Sequence, residues 1–177
     1  MRHRNNNLST IICSEGACFS AGTLVTLNDG NRKSIEQLAV GDLVSAFRGI
    51  ADRTVSRKIN EIVIREGQTV YELRTEDNRV VWGTGNHPFL VGPNKTDPMM
   101  EDLPVRYKAL KDLTPTDRLV GQAGSIIRIS SVQMMEGEHT VYNLIVDGLR
   151  SYVVNGIRVH GCRCDPNHRA SYEDDWF

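Results

Sequence analysis

Three short runs of this sequence hold groups that could act on the chain's own backbone: Cys18-Phe19-Ser20-Ala21-Gly22-Thr23-Leu24-Val25, Thr84-Gly85-Asn86-His87 and Val159-His160-Gly161-Cys162. A peptide bond resists attack because amide resonance delocalises the nitrogen lone pair and leaves the amine a poor leaving group. Self-cleavage therefore needs a nucleophile beside the carbonyl, a group that moves a proton, and donors aimed at the transient charge. Cys18 meets the first need by position alone, because its sulfur reaches the carbonyl carbon of Ala17 through a five-membered ring and no substrate has to be bound. A free thiol has a pKa of about 8.5 and is only a few per cent thiolate at neutral pH, so a histidine must take its proton or give one to the departing nitrogen. His87 is the candidate. Thr84, with a backbone N–H in the turn from Gly83 to Asn86, would support the distorted amide and the oxyanion. The expected product is a thioester joining Ala17 to the Cys18 sulfur.

Positioning these groups falls to a β-rich block. Short apolar runs at 23–27, 43–47, 59–64, 70–73, 80–82, 89–91, 119–120, 126–132, 141–146 and 152–154 are bounded by turn residues such as Asn28-Asp29-Gly30 and Asn155-Gly156. β-Branched residues at alternate positions with Asn-Gly and Asp-Gly punctuation predict strands and hairpins. Helix is confined to one turn at 34–38, where Ser34 would cap and Gln37 lies three residues on, as in a capping box. The chain also echoes itself. Residues 35–44 have the layout of 110–119, with two apolar anchors three apart, a turn, an Asp and a strand; Val70-Tyr71-Glu72-Leu73 returns as Val141-Tyr142-Asn143-Leu144. Two rough copies of one β unit imply a pseudo-twofold that brings His87 and His160 to related places near one centre. Residues 93–104, with Met99 and Met100, break the pattern and read as a surface loop.

Taken together, these blocks resemble the Hint family, which comprises inteins, bacterial intein-like domains and the autoprocessing domain of hedgehog proteins. The resemblance covers Cys18 to Cys162 and implies an all-β, horseshoe-like Hint fold of short strands with a pseudo-twofold internal repeat. Cys18 to Val25 is similar to the family's opening Cys followed by Phe/Leu-x-Gly-Thr, with one extra residue before Gly22-Thr23. Thr84-x-x-His87 is similar to the Thr-x-x-His block, which implies that His87 protonates or strains the scissile amide and that Thr84 supports it. Asn143 stands where many members carry Asp, which leaves it a hydrogen-bonding role. Family members often end in His-Asn before Cys, Ser or Thr, whereas this chain has His160-Gly161-Cys162. Gly161 has no side-chain amide to attack its own carbonyl, so C-terminal cleavage by cyclisation and full splicing are not expected. The implied outputs are the N-terminal thioester, its hydrolysis or capture by an external thiol or amine, and acyl transfer to Cys162 as a branched species. Gly161 is either natural, in a domain that cleaves without splicing, or an engineered replacement of Asn.

The same resemblance divides the chain into an N-terminal flank (1–17), the autoprocessing domain (18–161) and a C-terminal flank (162–177), the flanks being the substrate. It implies no cofactor and no metal, and the interval leaves no room for a homing endonuclease. A length of 177 residues suits one domain. With 21 Lys plus Arg against 22 Asp plus Glu, no block of like charge offers a nucleic-acid footprint. The apolar stretch 8–13 is too short for a secretory core and no segment approaches a membrane span, so the chain reads as soluble, monomeric and, if any compartment is to be named, cytoplasmic. Four cysteines in two end clusters are too few for a disulfide scaffold, and Cys13 has no motif around it. Two rival readings remain. His160-x-Cys162-x-Cys164-x-x-x-His168 offers four ligands for a zinc site, though Cys-x-Cys is unlike the usual knuckle. A degenerate Hint scaffold kept as a binding module is the other, and intact Cys18, Thr84 and His87 argue against it.

Overall fold

The computed structural model describes residues 17–48, 53–92 and 106–161. Among the described residues fourteen strands form one sheet in which every pairing is antiparallel, and only two single-turn 3-10 segments interrupt them. In chain order the strands are β1 (Phe19–Ser20), β2 (Leu24–Thr26), β3 (Arg32–Ser34), β4 (Leu43–Ala46), β5 (Val55–Gln68), β6 (Val70–Thr75), β7 (Val80–Thr84) and β8 (Pro88–Val91), then β9 (Arg106–Ala109), β10 (Arg118–Val120), β11 (Ile126–Met134), β12 (His139–Val146), β13 (Ser151–Val154) and β14 (Ile157–His160). Period-two alternation sends Phe19, Val25, Leu73, Val81, Phe89, Leu119, Leu144, Tyr152 and Val159 into one continuous core. Among the described residues no helix is long and apolar enough to cross a membrane.

The echo seen in the sequence has a geometric counterpart. The 3-10 turn Ile35–Gln37 and its partner Leu110–Asp112 each bury the first residue and are each followed by an Asp that turns the chain into a strand. Asp42 Oδ2 accepts the Ala39 N–H at 2.9 Å, and Asp117 Oδ2 accepts the Thr114 N–H at 2.8 Å. Each turn then leads into a hairpin, β4–β5 or β10–β11, and the long strand of each hairpin crosses to the other copy: β5 pairs β12 and β11 pairs β6. The two units are thus interleaved rather than side by side, which explains why neither half closes a core alone.

The predicted capping box at Ser34 does not form. Ser34 is extended and makes no side-chain cap bond, because the segment is a single 3-10 turn whose first orphan donors are few. Glu36 instead reaches back to accept the Gly22 N–H at 2.8 Å, tying this turn to the loop after β1. The Asn155-Gly156 signal is realised as a two-residue hairpin, with φ of 47° and 75° closing Val154 onto Ile157 as a type I′ turn requires. The 93–104 loop lies outside the described residues.

One close approach controls the chemistry-bearing end of β1. A Cβ built on Gly83 would stand 3.0 Å from Phe19 Cδ1 and 3.2 Å from the Cys18 carbonyl oxygen. Gly83→Ala is expected to push β1 off β7 and to destabilise the domain by about 1–3 kcal/mol, the usual cost of overpacking. Denaturant unfolding checks this, and an unchanged midpoint would refute the tight fit.

Candidate active site at the Ala17–Cys18 bond

Strand β1 is short because it is an insert. Phe19 pairs Gly83 of β7 on one side and Tyr142 of β12 on the other, so the peptide preceding it is held from both flanks. The Cys18 N–H donates to Thr84 Oγ1 at 2.9 Å, and the Thr84 N–H donates back to the Cys18 carbonyl at 2.9 Å. The Thr84 hydroxyl donates a hydrogen bond to Asn86 Oδ1 at 2.8 Å, a shorter contact than its 3.3 Å approach to the Cys18 carbonyl. The threonine therefore sits on the nitrogen side of the Ala17–Cys18 bond. Ala17 is 4 % exposed and Cys18 1 % exposed, with the thiol residue packed on Val70, Val141, Trp82 and Met135.

The turn after β7, closed by the His87 N–H on the Thr84 carbonyl, carries His87 into the core. Its ring has no solvent exposure and lies 3.9 Å, centroid to centroid, from Phe19 at 40°, with Phe89 and Tyr152 edge-on at 6.1 and 6.4 Å. Burial, and after it the charge of His160, pushes the imidazole from an ordinary 6.5 down to about 3. The backbones of His160 and Ala17 pull the other way. Neither ring nitrogen makes a hydrogen bond of ordinary geometry, so these two backbone groups are near neighbours rather than partners. His87 is thus a neutral, buried imidazole beside Ala17.

His160 ends β14 opposite Ser151 and stacks edge-on with Tyr107 at 5.1 Å. Burial, followed by the Arg150 charge, lowers it to about 4. The His160 charge acts on His87, so the sequence echo does bring the two histidines near one centre. Asn143, 3 % exposed on β12, uses its Oδ1 to accept the Leu144 N–H at 2.9 Å and the Tyr152 hydroxyl at 2.7 Å. Gly161 donates its N–H to the Arg150 carbonyl at 2.7 Å. Any Cβ there would fall on the Leu144 carbonyl oxygen, 2.9 Å from Tyr152 Cε1 and 3.5 Å from Asn143 Oδ1. Cys162, Cys164, His168 and Cys13 lie outside the described residues, and with them the tail zinc cluster and the branched acyl species. Among the described residues no group of three or more His, Cys, Asp or Glu could hold a metal ion.

Sequence reasoning does not single out Tyr152, Asn86 or Phe19 as site residues, yet each touches it. Phe19 has a signal as the aromatic directly after Cys18, and Asn86 stands inside the Thr84–His87 run. Tyr152 has none, since an aromatic in an apolar strand reads first as core.

Solved structures share this architecture. A bacterial intein-like domain from Clostridium thermocellum aligns with a TM-score of 0.69 at 24% identity, over 84% of this chain and 100% of its own. A DnaB intein from Synechocystis sp. PCC 6803 aligns at 0.69 and 25% identity over 83% and 99%, and the TvoVMA intein at 0.67 and 17% over 84% and 100%. No protein-family model matches the sequence, and no curated protein does. The chain shares the fold of these intein and intein-like structures. This likeness supports a self-processing domain in general terms; the chemical steps are a separate question.

The two histidines tie stability to pH with a definite sign. Both are depressed in the folded state, to about 3 and about 4, while the unfolded chain protonates them near 6.5. Between those values the unfolded state binds more protons, so stability is fully kept above about 6.5 and falls with acidification through that window. Denaturant unfolding from neutral pH downward should show this loss, and His87→Phe should flatten part of it.

Proposed function

We propose that this chain is a self-processing domain whose Cys18 converts the Ala17–Cys18 peptide bond into a thioester. The Cys18 sulfur adds to the Ala17 carbonyl carbon, the bond from that carbon to the Cys18 nitrogen breaks, and the proton lost by the thiol ends on the freed amine. The observation that carries this reading is the scissile amide itself. Its N–H is gripped by Thr84 Oγ1, and a neutral imidazole is buried beside Ala17.

His87 suits both halves of the proton transfer. As a neutral base it can take the thiol proton. Once protonated, a ring whose pKa is about 3 is a far stronger acid than ordinary histidine, which favours passing the proton on to the amide nitrogen as the carbon–nitrogen bond stretches. Thr84 holds that nitrogen in line, and its bond to Asn86 fixes the hydroxyl rotor so that a lone pair faces the amide. Burial of the whole unit strengthens each of these contacts.

Residues 1–17 and 162–177 are the flanking substrate in this proposal, and the acyl group goes from Cys18 to water, an external thiol or an external amine. Transfer to Cys162 would give a branched product that Gly161 cannot resolve. The packing of Leu144 and Tyr152 against Gly161 favours a glycine native to the scaffold over a replaced asparagine. A side chain at this position would need backbone movement at Leu144.

Incubation with dithiothreitol is expected to release residues 1–17, read by intact mass spectrometry. Cys18→Ala should abolish release, and His87→Ala should slow it by roughly a hundredfold or more, the lower range for a lost acid–base group. Equal release from wild type and Cys18→Ala would refute the thioester. For the other junction, Gly161→Asn is expected to leave the bond before Cys162 intact, and a C-terminal fragment from that variant would show that Leu144 yields.

A further inference from the structure

A cavity of about 190 Å3 lies beside the end of β1, and thioester formation assigns it no task. Residues 20–23 line it, together with Val80 and Trp82 of β7 and Asn155 of the β13–β14 turn. Strand register explains its place. Phe19 pairs Gly83, so one step further in this antiparallel ladder Ser20 falls opposite Trp82. The chain then turns tightly at Gly22, whose φ is 85°, with the Thr23 N–H closing on the Ser20 carbonyl at 3.3 Å. Alternation sends Phe19 into the main core and leaves Cys18 and Ser20 on the opposite face, about 6.5 Å apart along the strand. Trp82 is common to both places: it packs on the cluster that holds Cys18 and it lines the cavity.

The polar groups around the cavity are committed, with one exception. Thr23 Oγ1 donates to the Ser20 carbonyl at 2.8 Å. Asn155 accepts the Leu24 N–H at 3.0 Å and donates to the Val80 carbonyl at 2.6 Å, which fixes both ends of its amide. Trp82 Nε1 donates to Glu72 Oε2 at 2.9 Å, so the indole offers the cavity its ring and not its N–H. The exception is Ser20. It is 8 % exposed, and its hydroxyl makes no hydrogen bond. A buried hydroxyl without a partner is costly, and native structures seldom keep one without a use.

We propose that this cavity is a binding site for a small uncharged ligand of single-ring size, which packs on Trp82 and hydrogen-bonds to Ser20 Oγ. The volume fits such a body, since an apolar cavity of about 150 Å3 takes benzene. A ring suits Trp82, because aromatic pairs gain beyond the area they bury. The serine hydroxyl both donates and accepts, so a ligand hydroxyl or carbonyl satisfies it equally. Charge is selected against: no Lys, Arg, His, Asp or Glu lines the cavity, and an ion would lose hydration with no opposite charge in return. The walls are held by their own hydrogen bonds, so the site is formed before a ligand arrives.

Trp82 supplies the readout. With Trp176→Phe it is the sole tryptophan of the full chain, and phenol, toluene and benzoate are the probes. Phenol is expected to change the Trp82 fluorescence along a saturable curve, with backbone amide shifts centred on residues 20–23, Val80, Trp82 and Asn155. Ser20→Ala should weaken phenol by about two- to tenfold, the loss of one hydrogen bond, and leave toluene unchanged. Benzoate should bind more weakly than phenol to both chains. Because the hydroxyl it removes has no partner, Ser20→Ala should unfold at a denaturant midpoint no lower than the parent's. A response that does not saturate, equal phenol affinity in the two chains, benzoate binding as tightly as phenol, or a lowered midpoint each overturns the proposal. These readouts are of binding and folding alone, so they stand or fall separately from cleavage at Cys18.

Discussion

The structure depends on holding one peptide group between two strands it does not belong to. Strand β1 is two residues long, too short to be stable by itself, and survives only because β7 and β12 both bond to it. That arrangement holds the Ala17–Cys18 amide from both flanks. Thr84 binds its nitrogen and Gly83 leaves room for its approach. Phe19 anchors the C-terminal side of the cysteine, sharing a face with His87 and an edge with Tyr152. A flexible loop could present a cysteine, but only a backbone fixed on both sides can keep a carbonyl carbon within a sulfur's five-membered reach for long enough to matter.

Burial of two histidines is the cost of this design. A ring with both nitrogens unpartnered in a dry core loses solvation with no hydrogen bond in return, and native interiors rarely tolerate that without a reason. Holding His87 neutral converts this loss into chemical potential: the site holds a base that becomes a strong acid once loaded with a proton. His160 reinforces the effect from the second copy of the repeat, and burial, with Arg150 after it, in turn lowers His160. The pseudo-twofold thus does electrostatic work, because the second half supplies the charge that helps depress the imidazole of the first.

Much of this is legible in the sequence, and the limits are physical. Runs such as 70–73, 80–82 and 141–146 are apolar and rich in β-branched residues, so they read as the strands they are. The Asn155-Gly156 turn is equally plain, since few other dipeptides accept two positive φ values. Strand β5 extends to Val55–Gln68, well past the apolar run 59–64, because its ends are held by backbone pairing to β4 and β12 with exposed polar side chains. Strands β1 and β3 are too short to carry any period at all. At the site, Cys18, Thr84 and His87 are visible as motif residues, but the place of Thr84 on the nitrogen rather than the oxygen is not, because that depends on the strand register of Phe19 with Gly83. Tyr152 is hidden for a different reason: one side chain serves as core on its ring and as a hydrogen-bond donor at its tip.

The asymmetry between the two junctions arises from the same packing. At the first, a glycine on the neighbouring strand opens space so that a reactive residue can enter: Gly83 admits Phe19 and the Cys18 carbonyl. At the second, the glycine is on the reacting strand itself, and Leu144 and Tyr152 have closed over the space its side chain would need. The Leu144 carbonyl and the Tyr152 ring occupy that volume, whereas Asn143 Oδ1 would stand at an ordinary contact distance of 3.5 Å from a Cβ there. Tyr152 thus serves two neighbours at once, its ring closing over residue 161 and its hydroxyl donating to Asn143 Oδ1.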